Sequence, residues 1–347
     1  MFKKAKTDEN KEKFNIVQFL LNNAIVILII LSAIFVWVQN PRFLSMANIK
    51  NLLANTSVRM VIALGISGVL IMRNNDLSAG RQVGLAGCIC ATLLQRADYA
   101  AKVYPNMEPM NMWIVMILVM IGFACTIGLI NGLVVSKLHV PAFIGSYGMQ
   151  TIVYGTALIY TGAQPIGGLI PQYTEWAAGS FLGIQLIPNL AIVTFIVMAI
   201  MWFLYNHTPY GKKMYAIGGN PDAAEVSGIN TTRMTIVSYM IAAALFALAG
   251  FMLGAKAGGT SSNLANGYEL FAIAGCTIGG VSVSGGTGKV SGILVGVLVF
   301  EVLKIEMTFL GIDTAWTYIV QGVVIVVAIA LDIRKYIAKK WSIIKTK

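Results

Sequence analysis

The stretch Ala216-Ile217-Gly218-Gly219-Asn220-Pro221-Asp222-Ala223-Ala224-Glu225-Val226-Ser227-Gly228-Ile229-Asn230 is a polar island in a very apolar chain. Its local chemistry reads as a short helix. Asn220 suits an N-cap and Pro221 the first helical position. Asp222 places negative charge at the positive end of the helix dipole. Gly228 is placed to end the helix. Residues 221–227 thus form about two turns, roughly 10 Å long. A helix this short is unstable alone and needs something to dock on. What surrounds it decides the fold.

Outward from this island the chain is built of apolar blocks. Hydrophobic residues make up 57% of the 347 and charged residues 11%, under half the charge of an ordinary soluble domain. The blocks lie at about 20–38, 55–72, 80–95, 112–135, 142–161, 188–205, 234–255, 268–283, 289–305 and 315–332. Most approach the ~20 residues that cross a bilayer as helix. The block at 268–283 is short and contains Gly275, Gly279 and Gly280, which suits a bent or partial crossing. The expected fold class is an all-α polytopic membrane protein of about ten transmembrane helices. The first block has no small-residue cleavage site after it and reads as a retained helix.

Lysine and arginine set the orientation. With the N-terminus in the cytoplasm, eighteen fall in inner segments and five in outer ones. Arg81 is counted with the inner residues and Lys256 with the outer. Ten crossings then leave both termini and the 206–233 loop in the cytoplasm. The expected organisation is a cytoplasmic segment 1–19, a membrane domain 20–333 and a basic cytoplasmic tail 334–347. The net charge of +11 is explained by membrane edges; nucleic acid is not an expected partner.

Catalytic chemistry is not visible. Cys88 and Cys90 have neither redox nor zinc spacing, and the four cysteines read as small packing residues in apolar blocks. His139 and His207 stand alone, so no metal site is expected. Residues 284–292, SGGTGKVSG, imitate a phosphate-binding loop but lack its first glycine and the hydroxyl after Lys289; they read as a flexible turn. Glu301 and Lys304 are expected to pair locally near an outer helix end. Glycines four apart, such as Gly128/Gly132, Gly250/Gly254/Gly258, Gly275/Gly279 and Gly292/Gly296, point to close helix packing. Asn131, Gln150, Tyr154 and Tyr160 are candidate contacts for an uncharged, hydroxyl-rich solute; each also suits helix packing. From the residues alone, an ATPase-free channel or carrier and a membrane scaffold stay open.

The chain resembles the membrane permeases of carbohydrate ABC importers of the ribose, xylose and galactoside group. The resemblance lies in Tyr215-Ala216-Ile217-Gly218-Gly219-Asn220 with Ala223-Ala224 and Ser227-Gly228-Ile229. Asp76-Leu77-Ser78-Ala79-Gly80, Ile130-Asn131-Gly132-Leu133, Val140-Pro141-Ala142-Phe143-Ile144 and Ile278-Gly279-Gly280-Val281-Ser282 add to it. Together they cover roughly 42–333. Residues 76–85 and the segment to Pro105 are most similar to the galactose/methyl-galactoside branch. Asp222 stands where relatives carry Glu, and Phe271 where many carry Asp.

The resemblance implies an importer subunit in a bacterial cell membrane, with a second permease copy, a cytoplasmic ATPase and an extracytoplasmic sugar-binding protein. ATP and Mg would sit on the ATPase and no cofactor in this chain, which would not itself be an enzyme. It also implies that Gly218, Gly219, Asn220, Pro221, Asp222, Ala223, Ala224, Glu225, Ser227, Gly228 and Ile229 couple the permease to that ATPase.

Overall fold

The computed structural model describes residues 24–345. Segment 1–19 lies outside the described residues. The fold is helical throughout, and no strand occurs among the described residues. Isolated bridges join Gln95 to Leu169, Ile166 to Thr260 and Ser180 to Pro188.

The helices are α1 (Ala24–Gln39), α2 (Met46–Ile71), α3 (Ala79–Leu93), α4 (Met112–Ser136), α5 (Ala142–Thr161), α6 (Pro171–Ala178), α7 (Asn189–His207), α8 (Pro209–Gly219), α9 (Pro221–Val226), α10 (Thr231–Ala257), α11 (Tyr268–Ile278), α12 (Val290–Phe309) and α13 (Thr314–Lys345). Each apolar block of the sequence contains one. Four, namely α2, α4, α7 and α10, are long and apolar enough to cross a membrane by length and composition. At 11 residues, α11 is about 16 Å long, short of the ~30 Å hydrocarbon layer. The last helix runs on to Lys345, beyond the apolar block that ends at 332.

The core is built around α2 and α10. Almost every residue of α2 from Ala54 to Ile71 is buried. The packing surface of α10 is rich in alanine and glycine, including Ala242, Ala243, Ala247, Ala249 and Gly250. Small residues let its neighbours approach to backbone contact. A Cβ on Gly128 would lie 2.8 Å from the Met240 Cα, and one on Gly132 would lie 2.7 Å from the Ile236 Cα. These contacts seat α4 on α10. On the other side of the molecule, a Cβ on Gly296 would lie 1.9 Å from the Gly275 carbonyl oxygen, so α11 and α12 touch backbone to backbone. The glycine spacing is therefore a packing code. Gly258 is the exception: it caps α10 in the left-handed region at φ +68°.

A π-helical turn, Ala124–Gly128, interrupts α4. Of the four cysteines, Cys88, Cys90 and Cys276 are buried as packing residues, while Cys125 in the π turn is exposed.

Two charged groups occupy unexpected places. Arg59 lies halfway along α2, and its Nη1 is 2.8 Å from the Glu301 Oε2, with the Glu301 side chain 0% exposed. The guanidinium also lies 4.8 Å from the Tyr268 ring centre and 5.4 Å from that of Phe271. Glu301 thus pairs across helices with Arg59, not locally with Lys304. It sits near the middle of α12, where an unpaired charge would be most costly.

The stretch 258–267 after α10 is not a simple connection at the helix end. It folds back along α3, with Thr260 beside Gly87, Leu264 beside Gly84 and Ala265 beside Gly80. Gly80 and Gly84 leave room for its backbone, and Gly87 for its Leu264 and Thr260 side chains and for the Gly250 carbonyl of α10. Seven residues of α3 separate Gly87 from Gly80, so the descent is about 10 Å.

Candidate functional site: a capped elbow and a polar interior

The elbow comprises α8, Asn220 and α9. Thr208-Pro209 opens α8 with proline in the first turn, a start signal inside what the sequence reading treats as loop. Asn220 is extended, with φ −156° and ψ 105°, and bends the chain sharply between the two helices. Its side chain accepts a hydrogen bond from Ala223 N at 3.1 Å. Asp222 lies in the first turn of α9.

The far end of α9 closes with two crossed bonds. Ile229 N donates to Ala224 O at 3.0 Å and Gly228 N to Glu225 O at 2.9 Å. Gly228 is left-handed at φ +81°. This is the helix-ending motif that wants glycine in that place. Ser227 Oγ adds a bond to Ala223 O at 2.7 Å. Six residues of helix are thus satisfied at both ends by their own sequence.

Docking comes through few side chains. Ala224 is 3% exposed, whereas Val226 is 90% exposed. Asp222, Ala223 and Glu225 are exposed as well. The outer surface of α9 is therefore an apolar tip flanked by two carboxylates. Beside it opens a groove of about 670 Å³ lined by Lys137, Glu225, Ile229, Arg233 and Ile236, among others.

The root of the elbow is locked to the end of α2. Arg73 Nε donates to Gly218 O at 2.7 Å, and its Nη2 donates to Gly219 O at 2.6 Å. Gly286 N donates to Ile71 O at 2.8 Å, and Tyr215 OH donates to Gly288 O at 2.8 Å. Three chain segments converge so tightly that a Cβ on Gly218 would sit 1.9 Å from the Ile71 O and 2.5 Å from the Gly286 N. The 284–288 turn is thus a wedge between the elbow and α2, rather than a free connection. The end of α8 therefore abuts the end of α2, whose apolar stretch is almost wholly buried.

All eleven predicted coupling residues lie on this elbow or on the 227–229 turn that closes it. Sequence reasoning did not single out Val226, which is 90% exposed, or Arg73 and Gly286, which hold the root. The phosphate-loop mimicry of 284–292 was the available signal, since a loop so rich in glycine has backbone to bring close to something.

The four candidate solute contacts do not form one site. Asn131 is buried, with Nδ2 at 3.4 Å from Asp76 Oδ1 and 3.5 Å from Ser78 Oγ. Asp76 also accepts from Ser78 N at 3.0 Å, and Gln82 Nε2 donates to Ser78 Oγ at 2.8 Å. Asn131 therefore braces a buried turn. Tyr160 OH bonds to Thr92 Oγ1 at 2.6 Å and accepts from Tyr104 OH at 3.3 Å. Gln150 and Tyr154 share one face of α5. Arg81 stacks over the Tyr154 ring, with 4.0 Å from Cζ to the ring centre. Among the described residues no metal-binding group of His, Cys, Asp and Glu occurs.

Close-packed apolar helices joined to an exposed, doubly capped elbow define an all-helical membrane protein, and the family match makes it a transport permease component. Residues 48–329 match the family described as "Branched-chain amino acid transport system / permease component", and the chain belongs to that family. It is 42% identical to the galactose/methyl galactoside import permease protein MglC of Escherichia coli, over 91% of this chain and 94% of that one. The MglC protein of Haemophilus influenzae is 40% identical, over 95% and 99%. The ribose import permease protein RbsC of Bacillus subtilis is 34% identical, over 87% and 89%. No solved structure matches the chain.

Proposed function

We propose that this chain is the membrane-spanning subunit of an ATP-driven importer for galactose and methyl galactosides in a bacterial inner membrane. Two copies form the path, a sugar-binding protein delivers the solute from outside, and a cytoplasmic ATPase supplies the work. ATP and Mg are held by that ATPase. Ten crossings with both termini in the cytoplasm fit the bias of Lys and Arg to one side, and lipid covers the apolar outer faces.

The observation that carries this reading is the elbow. Its outer tip, with Val226, Asp222 and Glu225, is built to contact a separate protein. Its root, with Gly218 and Arg73, transmits movement to α2. Asp222 and Glu225 pair with basic groups on the ATPase. The permease makes and breaks no covalent bond; partners with different affinity for its two states shift its population between them. Identity of 40–42% over most of the chain to galactose/methyl galactoside permeases favours that substrate over ribose, where identity is 34%.

The test is uptake of labelled galactose by proteoliposomes holding this chain, its ATPase and its binding protein. Saturable uptake that requires ATP and resists excess ribose or xylose is the expected result. Uptake of ribose or xylose in place of galactose would overturn the substrate and keep the importer.

A further inference from the structure

α5 carries three distinct faces. At 100° per residue, Ser146, Met149, Val153 and Ala157 fall together and are buried. Ile152 and Ile159 fall on a second side, 63% and 87% exposed, as side chains facing lipid do. Tyr147, Gln150, Thr151 and Tyr154 fall on a third side, exposed or half-buried. This polar stripe reaches Tyr154, about 18 Å from the Ala142 end of the helix and about 10 Å from the Thr161 end. Its upper part therefore sits deep in any bilayer that α5 crosses.

Opposite the stripe lie Arg81 and the segment folded back after α10. Arg81 Nη1 donates to Asn263 Oδ1 at 3.0 Å and to Ser262 O at 3.3 Å. The ion pairs among the described residues are Arg59–Glu301 and Arg96–Asp98, and neither includes Arg81. Arg81 is half-buried, and Asn263 and Asn266 are exposed. Stacked on Tyr154 and tied to Asn263, Arg81 is not extended toward either membrane surface. A guanidinium that is not fully enclosed at such depth does not face hydrocarbon. Non-helical backbone at membrane depth is tolerated where it is buried in protein or borders water. Asn263 and Asn266 are exposed on this chain, and a polar face of this kind borders water in the path that the two copies proposed above enclose.

From this placement we infer that Arg81, Gln150, Thr151, Tyr154 and Asn263 line an aqueous route through the protein, and that Arg81 with Asn263 is its contact for a neutral, polyhydroxylated solute. The solute's chemistry and the two-copy path rest on the importer reading above; the polarity and exposure of the face do not. The guanidinium offers several N–H donors in a fixed fork, and the Asn263 amide offers both donor and acceptor. Such groups exchange hydrogen bonds with sugar hydroxyls without needing a charge on the solute. With the Glu269 carboxylate within electrostatic reach of Arg81, the fork's charge is partly compensated and it holds a neutral solute weakly, which suits a path it must leave.

The test uses the full chain assembled with its ATPase and binding protein, with Cys125→Ser removing the exposed native thiol. Thr151→Cys, Asn263→Cys and Ile152→Cys are treated separately with a charged, membrane-impermeant methanethiosulfonate. Thr151→Cys and Asn263→Cys are expected to react at least tenfold faster than Ile152→Cys. Equal rates, or reaction at Ile152→Cys alone, would overturn the wet face. If Asn263→Cys fails to assemble, Thr151→Cys on its regular helix carries the comparison. In parallel, Arg81→Gln is expected to lower maximal galactose uptake at least tenfold with ATPase assembly intact, and Arg81→Lys to restore part of it. Full uptake by Arg81→Gln would remove the solute contact. The labelling pattern without galactose uptake by the unmutated chain would leave the wet face standing and sink the importer reading. Normal uptake with flat labelling would do the reverse.

Discussion

Adjacent glycines at the elbow root should respond oppositely to the same change. A Cβ on Gly218 falls 1.9 Å from Ile71 O and 2.5 Å from Gly286 N, whereas non-bonded heavy atoms settle at about 3.5 Å. Both obstacles are backbone, so no side chain can swing aside. Relief requires α8 and the end of α2 to part by roughly 1.5 Å. That movement works against the bonds from Gly286 N to Ile71 O and from Arg73 to Gly218 O. Overpacking costs about 1–3 kcal/mol, and each lost bond adds about 1 kcal/mol. Gly218→Ala should therefore cost roughly 2–5 kcal/mol. Around Gly219 nothing lies within 4 Å of the added carbon, so Gly219→Ala should be neutral or slightly stabilising, as alanine is the better helix former. Thermal unfolding of the purified chain and ATP-driven uptake in proteoliposomes measure both variants. Gly218→Ala should unfold several degrees lower and lose most uptake, while Gly219→Ala matches the parent. Equal behaviour of the two variants would refute the tight junction.

Three further outcomes follow from the same structure. Asn220→Ala removes the cap from α9 at a cost of about 1 kcal/mol; hydrogen exchange should quicken at the Ala223 amide while α10 stays protected. Asp222→Lys together with Glu225→Lys should abolish co-purification with the ATPase and leave the fold unchanged by circular dichroism; retained assembly and uptake would remove these carboxylates from the contact. Arg59→Met alone strands a buried Glu301 and should destabilise by about 3–5 kcal/mol. Adding Glu301→Leu should recover most of that loss, and a double variant as unstable as the single one would argue against the pair.

Much of the fold was legible because its signals are local. Each apolar block became a helix, and Asn220, Pro221 and Gly228 act as the caps their chemistry suggests. The glycine spacings were readable as contact surfaces, although sequence could not say that Gly80 and Gly84 face the backbone of the folded-back segment instead of another helix. What stayed hidden depends on distant pairing. Glu301 finds Arg59 from another helix, which local spacing with Lys304 could not reveal. Arg81 looked like a basic residue at a membrane edge because α3 seemed to begin there. Asn131 looked like a solute contact because a buried bracing amide and a path-lining amide have the same local sequence. Val226 was passed over since an apolar residue in a short helix normally faces inward, and here it faces out.

The most direct measurement of the central claim is a cross-link at Val226. Val226→Cys, in a chain with Cys125→Ser, is assembled with its ATPase and shown to drive uptake. A short bifunctional thiol reagent should join it to the ATPase, with a yield that changes between nucleotide-free and ATP-bound states. Ile159→Cys, comparably exposed on the outer face of α5, should give no such product. An active importer in which Val226→Cys never reaches the ATPase would contradict the claim that the elbow carries the work into the membrane.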